Sequence, residues 1–136
     1  MDDTTMKVFE KVLGDLLEDL RSLRDERVIQ NVLKSKLSQE GLRLEERVIL
    51  RKEGIPEIEV DLLGPELAVE VKVNPRFYDG VGQAAAMSEL LGLKSILIQI
   101  WREVDERSIE AVRRIARRCG FRAFIVDLRR GRVVSV

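Results

Sequence analysis

The amino-acid sequence predicts an α/β domain in which helices flank a mixed β-sheet. Two helical segments lead into three consecutive strand-like segments separated by Gly and Pro residues, and later strands alternate with helices. Strands joined by short turns form an antiparallel meander, whereas a strand reached through a helix lies parallel to its neighbour. The 136 residues, 45% of them hydrophobic, are enough for one domain with one shared core.

The chain begins with an amphipathic segment, residues 1–25, whose apolar residues recur at helical spacings of three and four. They are Phe9, Val12, Leu13, Leu16, Leu20 and Leu23. We expect this helix to pack on the core or on a partner, such as a second copy of the chain. The main domain, residues 26–136, then begins with a helix that runs from about Glu26 to a Gly41 cap.

The rest of the chain divides into strands and helices at Gly and Pro residues. Strands are predicted at residues 42–51, 57–63, 67–73, 95–101, 121–126 and 133–136. Helices are predicted at residues 81–91 and 106–119, each followed directly by a Gly that can cap it. From residue 26 the predicted order is therefore helix, three strands, helix, strand, helix and two strands.

Charge is distributed unevenly, although 24 basic and 24 acidic side chains cancel overall. Residues 1–26 carry a net charge of −4, from eight acidic and four basic side chains. Residues 103–136 carry +4, from nine arginines and five acidic side chains. A surface that binds a polyanion is therefore expected to be local and near the carboxy terminus.

The composition excludes several kinds of catalytic site. The chain contains no histidine, which rules out serine–histidine and cysteine–histidine mechanisms and histidine zinc sites. The single cysteine, Cys119, cannot form an intramolecular disulfide, and its helical spacing from apolar residues predicts a buried position. Because the start is acidic and no apolar stretch is long enough to span a membrane, we expect a cytoplasmic protein.

Two neighbouring strands place acidic side chains opposite each other. Alternation along residues 57–63 gives two faces. One face carries Ile58, Val60 and Leu62, and the other carries Glu59, Asp61 and Leu63. In the next strand Glu70 and Lys72 share a face, and the register that matches the apolar faces sets Asp61 opposite Glu70. The same register sets Glu59 opposite Lys72. Like charges directly opposite are destabilising, so a cation is expected between Asp61 and Glu70.

Asp61, Glu70 and Lys72 have the chemistry of a metal-assisted phosphodiester hydrolase. Mg²⁺ prefers oxygen ligands, often takes one or two carboxylates, and completes its shell with water and phosphate oxygens; Mn²⁺ accepts similar ligands. A neighbouring lysine can stabilise developing negative charge or help to deprotonate the attacking water. The three residues therefore predict hydrolysis of a phosphodiester, which depends mainly on positioning and charge neutralisation.

The pattern of Asp61, eight further residues and Glu70–Val71–Lys72 resembles the PD-(D/E)XK nuclease superfamily. The surrounding hairpin looks like that of its archaeal Holliday-junction-resolvase-like and RecB-like branches. This resemblance implies a restriction-endonuclease-like αβββαβ core and a Mg²⁺- or Mn²⁺-dependent endonuclease of DNA repair or recombination. Val60 stands where many members have proline, and Met87 stands where many have tyrosine.

The resemblance also implies roles for individual side chains. Asp61 and Glu70 bind the metal, and Lys72 assists the water or the transition state. Many members carry a glutamate on the first core helix as a further metal ligand; Glu26 is nearest to it in context, and Glu40 at the end of that helix is the alternative. Gln83 resembles a glutamine that begins the helix after the hairpin and points towards the same site.

Four side chains are candidates for contacts with nucleic acid. Arg76 can meet a phosphate and Tyr78 a base or sugar, because both follow the lysine strand directly, although an ordinary loop explains them as well. Arg113 and Arg117 lie on one basic helix face that can follow a nucleic-acid backbone, although a solvated face explains that pattern too.

Two other functions stay open. The neutral net charge and the uncertain helix glutamate also fit a nuclease-fold module without turnover that binds nucleic acid or a partner protein. A structural protein that oligomerises through its leucine-rich first helix is the other alternative. Oligomeric state is open as well, although a homodimer would supply the second active site that cutting two strands requires.

Overall fold

The computed structural model describes residues 3–136, which fold into five helices and six strands. The helices are α1 (Asp3–Asp15), α2 (Leu17–Ser22), α3 (Glu26–Gln39), α4 (Val81–Leu91) and α5 (Glu106–Cys119). The strands are β1 (Glu45–Leu50), β2 (Ile58–Leu63), β3 (Leu67–Val73), β4 (Lys94–Trp101), β5 (Arg122–Asp127) and β6 (Arg132–Ser135). No helix within residues 3–136 has the length and apolar character that crossing a membrane requires.

The six strands form one mixed sheet in the order β1-β2-β3-β4-β5-β6. β1, β2 and β3 are antiparallel neighbours, β3, β4 and β5 run parallel, and β6 returns antiparallel to β5. The predicted α/β class with a mixed sheet flanked by helices is therefore confirmed. The parallel pairs follow from the crossovers through α4 and α5, since a chain that crosses through a helix re-enters the sheet in the same direction.

Helices cover both faces of the sheet. α1, α2 and α3 pack on one face, where Phe9 stacks on Phe124 of β5 with 5.7 Å between ring centroids and Leu13 is fully buried. α4 and α5 pack on the other face, where Val112 meets the cluster that contains Leu97. Burying a side chain of this size contributes about 1.5–3 kcal/mol, so the apolar stripe of the first helices holds them on the sheet.

Cys119 is exposed, so the prediction that it is buried is wrong. The buried residues of α5 include Ile109, Val112 and Ala116, and the helix then ends at Gly120. Phe121, directly after this cap, is buried and fills the core at the end of the helix. The last turn of α5 therefore extends beyond the surface that its apolar stripe covers.

β2 does not alternate between the two faces as the sequence predicts. Leu62 lies in the core under α1 to α3, whereas Val60 packs with Met87 of α4. The expectation that Val60 and Leu62 share a face is therefore wrong. The change occurs at Asp61, where the ladder with β1 skips the pair of Asp61 and Arg47, and Arg47 has a φ of +47°. A positive φ at so large a side chain marks a local distortion of both strands.

Candidate metal centre

β2 and β3 separate at Asp61. The last pair of their ladder on this side joins Leu62 to Val69. One further step would pair Asp61 with Glu70, which is the register that the sequence predicts, but the ladder has already ended there. Because the backbone of β2 leaves β3, the edge of β3 beyond Val69 needs other hydrogen-bond acceptors.

Two carboxylates replace the missing backbone partner. Oδ2 of Asp61 accepts a hydrogen bond from the backbone N–H of Val71 at 2.9 Å, and Oε1 of Glu26 accepts one from that of Val73 at 3.1 Å. Backbone N–H groups two residues apart in a strand point to the same side, so Asp61 and Glu26 line up along one edge of β3. The first residue of α3 therefore lies at the candidate site.

Glu70 is the buried carboxylate of the site. Its side chain is 1% exposed, and neither Oε1 nor Oε2 has a hydrogen-bond partner within residues 3–136. The ammonium of Lys72 lies 4.0 Å from Oε2, which is close enough for charge attraction but too far for a hydrogen bond. A buried carboxylate without hydrogen bonds is costly, so it either holds a proton or meets a cation.

Burial and the neighbouring charge both shift the titration of the two carboxyl groups. Burial, and then the negative charge of Asp61, raise the pKa of Glu70 to about 8, although the charge of Lys72 opposes them. Burial also raises the pKa of Asp61, while the hydrogen bond from Val71 and the charge of Lys72 act in the opposite direction. Without a cation, the pair therefore favours a state in which it keeps a proton.

The Lys72 side chain packs against the backbone of Gly80. A Cβ atom placed on Gly80 would lie 2.9 Å from Cγ of Lys72 and 2.8 Å from Cδ1 of Leu97, so the aliphatic part of the lysine runs over bare backbone. Gly80 also has a φ of +80°, which favours glycine over other residues. It is the amino-terminal cap residue of α4, so the start of α4 lies against Lys72.

Gln99 is a polar residue of the site that the sequence analysis missed. It is the register partner of Lys72 on β4 and is fully buried. Its Nε2 donates to the carbonyl oxygens of Phe77 at 3.2 Å and Asp79 at 2.9 Å. Two carbonyl neighbours identify the NH₂ end of the amide, so Oε1 points elsewhere, and it has no hydrogen-bond partner within residues 3–136.

The donor set fits a magnesium site with two carboxylate ligands. No group of three Asp, Glu or Cys side chains in residues 3–136 is arranged to hold a metal ion. Oε1 of Glu26 is bonded to the backbone of Val73, and this side chain does not form such a group with Asp61 and Glu70. Asp61 and Glu70 are sufficient for Mg²⁺, which takes its remaining ligands from water and phosphate. The unpaired oxygens of Glu70 are the feature that such an ion would satisfy.

Gln83 is exposed in the first turn of α4. The start of α4 borders the site through Gly80. No hydrogen bond within residues 3–136 joins Gln83 to Asp61, Glu70 or Lys72, and its role in the site stays a prediction.

The predicted nucleic-acid contacts lie in two separate places. Arg76 and Tyr78 are exposed in the loop that directly follows β3. Arg113 and Arg117 instead line a cavity of about 520 Å³. Lys94 and Arg122 line the same cavity. Lys94 pairs with the first residue of β3, so this cavity lies at the opposite end of the strands from Lys72. The structure therefore does not bring Arg113 and Arg117 to the carboxylates.

Without metal, the free energy of unfolding is expected to fall as the pH rises from about 5 to about 8. Glu70 has its ordinary pKa of 4.5 in the unfolded chain and about 8 in the folded protein. Between these values the folded state keeps a proton that the unfolded chain has lost, which costs up to about 1.4 kcal/mol per pH unit. Urea unfolding in EDTA across this range measures the slope.

The Glu70→Gln variant separates this effect from other titrations. Gln keeps the shape of the side chain and has no charge to lose, so the pH-dependent loss of stability should largely disappear. Glu66→Gln removes an exposed carboxylate of the same chain segment and should keep the wild-type slope. Parallel stability curves for wild type and Glu70→Gln would contradict the raised pKa.

Comparisons with known proteins identify no relative of this chain. No family model matches the sequence, and neither a curated protein nor a solved structure matches it. A function for the chain therefore rests on the side chains of the site, on their geometry and on the motif that they form.

Proposed function

We propose that this chain is a metal-dependent nuclease that hydrolyses phosphodiester bonds in DNA. The observation that supports it most strongly is the buried Glu70 carboxylate, whose oxygens satisfy no geometric hydrogen bond in the described part of the chain and whose charge interacts with those of Asp61 and Lys72. A role as an endonuclease of repair or recombination, and the choice of DNA as substrate, rest on the resemblance of Asp61 and Glu70–Val71–Lys72 to the PD-(D/E)XK pattern.

The proposed reaction assigns a separate task to each side chain. Asp61 and Glu70 would hold Mg²⁺ or Mn²⁺, and Glu26 would contribute more weakly through the oxygen that is not bonded to Val73. Such an ion, when bound, would neutralise phosphate charge and make the attacking water more acidic. Lys72 stabilises the negative charge that develops when a bond forms between the water oxygen and phosphorus while the bond to the leaving oxygen breaks. The products are a phosphate monoester and a free hydroxyl group.

Contacts outside the reacting centre would select the substrate. Gln83 can donate to a phosphate or water beside the site because it is exposed at the start of α4. Arg113 and Arg117 can bind a more distant part of the DNA backbone, through the cavity at the other end of the strands. A homodimer would place a second site on the opposite DNA strand.

A nuclease-like binding module without turnover is the second candidate function. It is favoured by the hydrogen bonds of Asp61 and Glu26, since each carboxylate is already used by the backbone of β3. If both bonds persist when DNA binds, Asp61 and Glu26 each have one oxygen left for a metal ion. Cleavage assays separate this module from the nuclease.

Purified protein is expected to cleave end-labelled DNA in Mg²⁺ or Mn²⁺ and to be inactive in EDTA. Asp61→Asn and Glu70→Gln should reduce the rate to background, because an amide is a poor ligand for a hard cation. Lys72→Ala should reduce it by at least about a hundredfold, the cost of losing a group that stabilises transition-state charge. Single-stranded, nicked, branched and duplex DNA are compared in one assay.

Glu59→Gln is the matched control for these variants. It removes an exposed carboxylate from the same strand as Asp61 and is expected to leave the rate within about twofold of wild type. No cleavage of any of these DNA forms by folded wild-type protein, or equal rates for wild type and Asp61→Asn, would contradict the nuclease proposal.

Glu26→Gln is expected to lower the affinity for Mn²⁺ by about tenfold, which is less than the loss in Glu70→Gln. The glutamine oxygen can still accept the hydrogen bond from Val73, so the fold is kept while one negative charge is lost. Titration of free Mn²⁺ by electron paramagnetic resonance measures both affinities. Unchanged affinity in Glu26→Gln would exclude this residue from the metal centre.

A further inference from the structure

The loop between β3 and α4 contains the exposed aromatic residues of the protein. Phe77 is 38% exposed and Tyr78 is 50% exposed. The chain has four Phe, one Tyr and one Trp, and the aromatic residues outside this loop are buried. They are Phe9, Trp101, Phe121 and Phe124. Aromatic rings are normally used to build the core, so two neighbouring exposed rings in the loop that directly follows the strand of Lys72 indicate contact with a ligand.

The two exposed rings contact each other, and the guanidinium group of Arg76 lies over one of them. Phe77 and Tyr78 meet edge to face, with 5.2 Å between ring centroids and an interplanar angle of 90°. The guanidinium carbon of Arg76 lies 4.9 Å from the centroid of the Tyr78 ring, and Arg76 also pairs with Asp79 at 3.4 Å. Aromatic faces and a guanidinium group are the side chains on which nucleobases stack in single-strand-binding proteins.

Buried residues of β4 hold this loop in place. Gln99 donates to the carbonyl oxygens of Phe77 and Asp79, and Nε1 of Trp101 donates to that of Pro75 at 2.6 Å. The backbone N–H of Arg76 donates to Oδ2 of Asp79 at 3.0 Å. An amide inside an otherwise apolar strand is unfavourable unless it is bonded, so the loop accounts for the NH₂ group of Gln99.

We propose that residues 75–80 form a platform that stacks an unpaired nucleobase of the substrate strand next to Lys72. Gln99 is the positioning residue, because it bonds the loop and is the register neighbour of the lysine. The identity of the ligand rests on the proposed nuclease function. Bases inside a duplex have their faces covered by stacking, so the platform selects single-stranded, flapped or branched DNA over uninterrupted duplex.

Binding of labelled DNA in EDTA tests the platform without cleavage. The probes are a single strand of roughly 12 nucleotides, within the range covered by single-strand-binding modules, and the blunt duplex of the same sequence. Tyr78→Ala is expected to weaken single-strand binding by about tenfold, in line with the loss of one stacked base, and to leave duplex binding unchanged. Tyr78→Phe keeps the ring and should retain wild-type affinity.

Leu90→Ala is the matched control, because it removes another large exposed apolar side chain, on α4. It should not alter the affinity for either probe. Equal single-strand affinity in wild type and Tyr78→Ala would overturn the platform. So would a self-association of the protein that Tyr78→Ala abolishes without any effect on DNA binding, since the rings would then contact a second copy.

Gln99→Leu tests the positioning role. The leucine fills a similar volume but donates no hydrogen bond, so the loop should loosen and trypsin should cleave faster after Arg76. The ratio of single-strand to duplex affinity should fall as it does in Tyr78→Ala. A lower melting temperature with an unchanged affinity ratio and unchanged trypsin cleavage would show that Gln99 is only a packing residue, and would overturn the proposal.

The platform and the nuclease can fail separately. If single-strand binding depends on Tyr78 but the protein cleaves no DNA with any metal, the platform is supported and the nuclease proposal is contradicted. Metal-dependent cleavage that Asp61→Asn abolishes, but that is equally fast on single strand and blunt duplex and unaffected by Tyr78→Ala, supports the nuclease and overturns the platform.

Discussion

The hydrogen bond from Val71 to the Asp61 carboxylate is the interaction on which the candidate site depends. It allows β2 to lie apart from β3 on the amino-terminal side of Leu62 without leaving the N–H of Val71 unbonded, because a side chain replaces the strand as acceptor. The same opening lets Glu26 reach the next free N–H group of β3. One break in the ladder therefore leaves the edge of β3 to two carboxylates, those of Asp61 and Glu26, and Glu70 lies on the same strand between Val69 and Val71.

The electrostatic consequence of this opening is a carboxylate pair that is unfavourable when fully charged. Glu70 is buried, its oxygens have no hydrogen-bond partner within residues 3–136, and Lys72 lies too far away to donate a hydrogen bond to it. A proton or a cation is needed, and the raised pKa of Glu70 expresses the same requirement. Lys72 in turn lies between Gly80, over which its aliphatic part runs, and the register partner Gln99. The contacts of Lys72 with Gly80 and Gln99 therefore place the loop that carries Phe77 and Tyr78 near the site.

Much of the fold could be predicted because its strongest signals are local. β3, α4 and α5 begin and end as predicted, because Gly or Pro residues flank β3 and α4, while α5 has apolar residues at helical spacing and ends at Gly120. The predicted register of β2 and β3 agrees with the two observed pairs, Leu62 with Val69 and Leu63 with Ala68, although the ladder ends before Asp61 and Glu70. The distortion at Asp61 and its bond to Val71 could not be predicted, because they depend on where two strands part in space. The sequence does contain one indication of the role of Gln99. It is a lone amide within the apolar run of β4, where a buried polar group needs a hydrogen-bond partner.

Anomalous diffraction from crystals grown with Mn²⁺ tests the central claim most directly, because it locates the ion without assuming any substrate. We expect an anomalous peak between the carboxylates of Asp61 and Glu70, with metal–oxygen distances of about 2.1 Å, close to those of magnesium. Glu70→Gln should remove the peak. A structure in which Mn²⁺ is absent from these carboxylates at saturating concentration, with Lys72 bonded directly to Glu70, would contradict the account.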